Sequence, residues 1–200
     1  MNKLFYTIGI SNFIIVGLIA CQPKSTPPVV TAFSRQDSVM QQFLDLQDSI
    51  VIAWNNIIHA DNMKVKNLRY IIHELSTGKQ LNTMVEESYT QRINQLLSIR
   101  FSEKTFQHVD LVYEYDKQEE KLIEEITTLA QSARFYEQNR MLQNLCVNIF
   151  NAEKSKYELR TSYNTIAFQF NQFVSTNKEL ILHADPAANL ELKYLFVIKE

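Results

Sequence analysis

The chain has 200 residues, 46% hydrophobic and 21% charged, with 3 glycines and 4 prolines, enough apolar residues for one folded core and too many for a disordered chain. Its 20 Lys and Arg stand against 22 Asp and Glu, so no broad basic field exists for phosphate and nucleic acid is not an expected partner. Two cysteines and four histidines are too few for a disulfide scaffold or a typical structural zinc site.

The amino terminus reads as an export signal. Lys3 supplies a positive start, and Leu4 to Ile19 form an apolar run broken only by Thr7, Ser11 and Asn12 before small Ala20 and Cys21. Leu18-Ile19-Ala20-Cys21 resembles the lipobox of bacterial lipoproteins, which implies that Cys21 is joined to a lipid and becomes the first residue of the mature chain. Several long acyl chains hold firmly, because each buried CH₂ contributes about 0.8 kcal/mol. The competing reading is a retained membrane helix, since about 17 apolar residues reach the lower limit for a span. Ser11 and Asn12 near the middle, and the small residue before cysteine at the end, favour cleavage. Residues 1–20 are therefore expected to be a signal peptide. Residues 21–33, with Pro23, Pro27 and Pro28, are expected to form an extended tether. Gln22 after the cysteine, in place of Asp, leans toward the outer membrane in a Gram-negative cell.

From Pro28 to Pro186 there is no proline, and Gly78 is the only glycine after Cys21, too few turn residues for strands and hairpins. The expected fold is all-α, an antiparallel bundle of long helices over 34–180. The first helix runs from about Ser34 to Leu75, with Phe43, Leu46, Ile50, Trp54, Ile57, Val65, Leu68, Ile72 and Leu75 at helical spacings and Gly78 at its stop. Thr83-Met84-Val85-Glu86 has the form of a capping box for a second helix reaching about Ile99. Ser102 is placed to cap a third, whose apolar side includes Phe106, Val109, Val112, Tyr113, Leu122, Ile123, Ile126 and Leu129. Its Glu119, Glu120, Lys121, Glu124 and Glu125 read as a solvated face. Polar residues between Ser132 and Gln138 allow a bend without forcing a stop.

The last long helix has the clearest pattern. Leu142, Leu145, Ile149, Ala152, Lys156, Leu159, Tyr163, Ile166, Phe170 and Phe173 alternate in steps of three and four, a heptad seam for partner helices. Asn164 and Asn171 repeat beside Tyr163 and Phe170 at the same seven-residue spacing, and Arg160 lies four residues before Asn164 and seven after Glu153. Asn residues flanking a seam can bond across helices and select a register, so Tyr163 and Phe170 are expected in the core, with Asn164 and Asn171 setting alignment. Residues 181–200 are expected to be a tail, either a short helix from Asp185-Pro186 or a loosely docked extended segment.

The stretch Arg160 to Asn171, an Arg, then Tyr163-Asn164, then Phe170-Asn171, resembles the C-terminal signature of the LemA family. Asn139, Leu142, Leu145, Ile149 and Glu153 fall where that family carries an Asn, three apolar residues and a Glu, and Ala53-Trp54 and Ile57 echo its first long helix. The likeness covers about Ala53 to Val174. It implies a four-helix bundle held at a membrane, with no established enzymatic activity. Two departures stand out: no proline occurs near Asn67-Leu68, where family members usually carry one, and a lipobox replaces the transmembrane anchor.

Other chemistry finds little support in the sequence. No Glu-x-x-His pair of the di-iron bundles occurs, and His59, His73, His108 and His183 are scattered without ligand spacing, so no metal and no cofactor is expected. Cys146 adjoins seam residue Leu145 and reads as a buried, inert thiol. No nucleophile elbow, Walker loop or dinucleotide fingerprint is present. The expected function is that of a noncatalytic, membrane-anchored envelope lipoprotein outside the cytoplasm, binding or scaffolding other envelope proteins. The alternative is a small-molecule or lipid binder with its ligand between helices.

Overall fold

A computed structural model describes residues 34–197; Cys21, the signal segment and the tether lie outside the described residues. Helix α1 spans Arg35–Thr77 and starts from a reciprocal cap: Ser34 Oγ accepts from the Asp37 N–H at 3.1 Å while Asp37 Oδ2 accepts from the Ser34 N–H at 3.0 Å. Gly78 ends it with φ −73°, so glycine is not there for a left-handed backbone; a Cβ at this position would run into the Phe135 ring. The left-handed residue of this turn is Lys79, φ 55°.

Helix α2 spans Thr83–Ser98, and its cap differs from the expected one. Asn82, not Thr83, occupies the cap, with Oδ1 accepting from the Val85 N–H at 2.9 Å, and Glu86 reaches the Ser76 hydroxyl on α1 rather than back to its own helix start. Helix α3 spans Val109–Gln131 and begins seven residues after Ser102. Ser102 instead closes a turn, its carbonyl accepting from the N–H groups of Thr105 and Phe106 at 2.9 Å each. That turn turns Phe101 and Phe106 inward, each 3% exposed, and so Phe106 belongs to a loop that feeds the core. Between α3 and α4 the chain breaks fully at 132–139, through a 3-10 turn at Tyr136–Gln138. Helix α4, Arg140–Ala184, is capped by Asn139, whose Oδ1 accepts from the Leu142 N–H while its Nδ2 donates to Glu74 on α1.

The two long helices, 43 and 45 residues or about 65 Å each, run antiparallel. Phe43 meets Phe170, Trp54 meets Tyr163, Lys64 meets Glu153 and Glu74 meets Asn139, one set of positions rising as the other falls. Helix α2 returns along α1 through Arg69–Asn94 at 2.8 Å, and Arg100 just after it reaches Asn62. Helix α3 then runs parallel to α1 and antiparallel to α4, with Tyr115 on Asp61 and Asp116 on Arg160. The result is an up-down-up-down bundle of four helices, with no strand among the described residues. No helix of the described residues is long and apolar enough to cross a membrane.

The buried side of α3 is Val112, Tyr115, Glu119, Leu122, Ile126 and Ala130, a three-four repeat with an acid in its middle. Glu119 is 1% exposed, so the solvated face expected for the acidic run holds for Glu120 and Glu124 and fails for Glu119. After α4, residues 185–197 form no helix; they turn at Pro186 and run back along α4.

Candidate functional site

Glu153, Arg160, Tyr163, Asn164, Phe170 and Asn171 lie along α4 in two adjoining environments. The first is a buried ionic layer. Lys64 Nζ on α1 sits 2.6 Å from Glu119 Oε1 on α3, 2.7 Å from Glu153 Oε1 on α4 and 3.3 Å from Asp61 Oδ1. Lys156 stands within 3.5 Å of Glu119, Glu120 and Glu153. Arg160 forks onto both Asp116 oxygens at 2.7 and 2.8 Å, a bidentate pair. Tyr115 donates its hydroxyl to Asp61 at 2.7 Å. Glu153 and Arg160 thus join one network without pairing with each other, because the shortest bond of Glu153 is to Lys64 on α1 and that of Arg160 to Asp116 on α3.

Three carboxylates around one ammonium shape the titration. Burial opposes the charge on Lys64, but Glu119, Asp61 and Glu153 outweigh it and hold the ammonium above its ordinary range. Burial pushes the Glu119 carboxyl up to about 7; Lys64 pulls it down and Asp61 pushes it further up. Removing one partner would leave charge uncompensated inside the bundle, which is far costlier than losing an exposed pair.

The second environment is a clamp on the tail, and here the expected role of the two asparagines is corrected. Asn171 Nδ2 donates to the Lys193 carbonyl at 2.8 Å and its Oδ1 accepts from the Lys193 N–H at 2.7 Å. Asn164 does the same to Phe196, at 2.9 and 2.7 Å. Neither sets helix register; both grip the main chain of an extended segment. The spacing explains the fit: seven helical residues rise about 10.5 Å, and three extended residues cover about 10 Å. The tail is therefore pinned, neither helical nor loosely docked.

Between the clamps and the ionic layer, the Phe196 ring, 5% exposed, is caged. It stacks on Trp54 at 6.2 Å, tilts on Phe106 at 4.8 Å and meets Phe101 and Tyr163 edge-on at 5.7 and 5.5 Å. The Arg160 guanidinium lies over Phe196 at 5.0 Å and over Phe101 at 5.6 Å, joining the cage to the network. Tyr163 is fully buried within this cage, and Phe170 stacks on Phe43 at 5.8 Å farther along the seam.

A cavity of about 500 Å³ opens beside the tail, lined by Val109, Tyr157, Lys156, Arg160, Leu195 and Val197 among others. Cys146 is buried, and burial raises its thiol above the ordinary range, as suits an inert position. The four histidines are exposed, and no group of three or more His, Cys, Asp or Glu stands placed for a metal among the described residues.

Lys64, Asp61, Tyr115, Glu119 and Phe196 are site residues that sequence reasoning missed. The available signal was polar residues on apolar faces: Asp61 and Lys64 sit between Ile57 and Val65, and Glu119 falls four residues after Tyr115 and three before Leu122. No family model, no curated protein and no solved structure matches this chain.

Proposed function

We propose that this chain is a lipid-anchored lipoprotein of the bacterial envelope, of the LemA type, whose noncatalytic bundle binds other envelope proteins by gripping extended segments of them. The observation that carries the binding role is the main-chain clamp: Asn164 and Asn171 each pair with both backbone groups of an extended residue while an aromatic cage takes a ring between helices. Backbone hydrogen bonds supply affinity that is tolerant of sequence, and one side-chain pocket supplies selectivity, as in other modes of extended-peptide recognition. The lipobox at Cys21 supports the anchoring and the location outside the cytoplasm.

Two measurements test the reading. Mass spectrometry of the amino-terminal peptide should find a diacylated Cys21, whereas an intact Met1 or an unmodified Cys21 would overturn the anchor. A fluorescent peptide of residues 189–200 should bind the full-length Phe196→Ala chain, whose cage its own tail fills poorly, and bind wild type at least ten-fold more weakly. A peptide that fails on both chains would remove the segment-binding role.

A second reading rests on the cavity, whose volume of about 500 Å³ falls in the range of small-molecule sites. Under that reading the protein holds a small molecule or lipid beside Arg160 and Tyr157. Native mass spectrometry of the membrane-extracted chain should then show a bound adduct, lost when Tyr157→Trp fills the space.

A further inference from the structure

We propose that the Asn164–Asn171 clamp and its aromatic cage are a site for the tail of a second copy of this chain, so that two anchored copies exchange residues 193–197. The proposal rests on the segment-binding reading and adds the identity of the occupant.

The tail's own fit is the argument. Its segment places at 193 a residue whose N–H and carbonyl both bond Asn171, an aromatic ring three residues on, and at the same residue 193 a lysine Nζ 3.4 Å from Glu103 Oε1. A copy's tail brings all of these to the same site, so exchange costs no contact at the clamp. What differs between the bound-in-place and exchanged forms is the path of residues 185–192. That path is held lightly: its hydrogen bonds are local, from the Ala187 N–H to Asp185 Oδ1, from the Ala188 N–H to the Asp185 carbonyl and from the Glu191 N–H to Asn189 Oδ1, and only the half-buried Ala188 and Leu190 pack against the core and would be given up on re-routing. Asn189, Glu191 and Leu192 are exposed, and Pro186 fixes a bend at the start. The eight steps from Asp185 to Lys193 reach about 26 Å when extended; the return along α4 to the level of Asn171 uses about 21 Å of it, which leaves about 15 Å sideways, more than the 10–12 Å thickness of one helix. A neighbouring bundle whose α4 stands against this one is therefore within reach. In one chain the tail enjoys an effective concentration in the millimolar range, so exchange needs copies held close, as a shared lipid surface holds them. Exchange of an identical segment is also a low-cost route to a dimer.

The Lys193–Glu103 contact provides a test on the unaltered chain. Full-length protein labelled with ¹⁴N and with ¹⁵N is mixed in vesicles, equilibrated, and treated with a carbodiimide that joins touching amines and carboxylates. Exchange predicts mixed-isotope Lys193–Glu103 peptides that rise with the number of chains per vesicle, toward half of all such links. Single-isotope links alone at every density overturn the proposal. If the 189–200 peptide nevertheless binds Phe196→Ala, the segment-binding reading survives and its occupant is another protein.

A complementation pair tests the same point independently. Full-length Phe196→Ala keeps the clamps and lacks the ring; full-length Asn164→Ala/Asn171→Ala keeps the ring and lacks the clamps. Differently tagged, the two should pair with each other at least ten-fold more than either pairs with itself. Equal pairing, or none, counts against exchange, and Phe196→Leu replaces the first variant if Phe196→Ala loses helicity.

Discussion

Two neighbouring layers of the bundle bury their side chains by opposite means. In one, Lys64 gathers Asp61, Glu119 and Glu153 from three helices at distances from 2.6 to 3.3 Å, with Lys156 and Arg100 adding positive charge from the side. In the other, Trp54, Phe101, Phe106, Tyr163 and Phe196 fill space with rings, and the last ring arrives on a tail held by four hydrogen bonds. The ionic layer has no removable part, because each charge is the reason another can be buried. The aromatic layer has one, since withdrawing the tail leaves Trp54, Phe101, Phe106 and Tyr163 packed on one another and Arg160 still paired with Asp116. The contrast separates what holds the fold from what can be exchanged on it.

The strongest way to break the first layer is Lys64→Met, which removes the closest counter-charge of three carboxylates and leaves them only Lys156 and Arg100 at 3.4 to 3.7 Å. Its cost should approach the upper end of the roughly 3–5 kcal/mol known for breaking a buried pair, and circular dichroism should show the whole bundle melting early. Phe170→Ala comes next. It removes a buried ring that stacks on Phe43, for an expected loss of about 3–4 kcal/mol, again seen as a lower melting temperature of the whole domain. Asn171→Ala should act locally. It loses two hydrogen bonds worth about 1 kcal/mol each, and hydrogen exchange should show the Lys193 amide unprotected while those of α1 and α4 keep their rates. Global destabilisation by Asn171→Ala would erase the distinction between the layers.

The gentlest probe is pH. With the Glu119 carboxyl raised from 4.5 to about 7, the folded chain binds a proton between those values that the unfolded chain does not. The stabilisation is therefore full below about 4.5 and is lost as pH rises through 7, by at most about 3 kcal/mol. Glu119→Gln should flatten the dependence of the urea midpoint between pH 5 and 8 and leave tail protection alone.

Much of the fold was legible in the sequence. Apolar spacings and the scarcity of glycine and proline mark α1 and α4, whose seam positions Ile50, Trp54, Tyr163 and Phe170 are all buried. The ionic layer was hidden because Glu119 sits in a run of acids and its partner Lys64 lies 55 residues away. Charges near each other in space need not be near in sequence, and periodicity reports burial without naming the partner. The asparagines show the same limit from another side. Their spacing identified them, but an amide offers a donor and an acceptor equally well to a helix or to an extended chain. Leu190 to Ile198 has no helical period, so nothing in it announced that Phe196 would fill a core.

The clamps touch residues 193 and 196 and skip the two between them. Successive residues of a flat β-strand direct their backbone groups to alternate sides, whereas in the polyproline II form the same direction returns every third residue. The two amides therefore read a threefold backbone period, and they need an N–H at each gripped position. A chain slipped by one residue meets neither amide squarely, so engagement is all or none rather than graded. Proline is tolerated at the two skipped positions and barred from the gripped ones. The site selects a backbone conformation before it selects a side chain, and the aromatic residue it then admits must sit at the second grip.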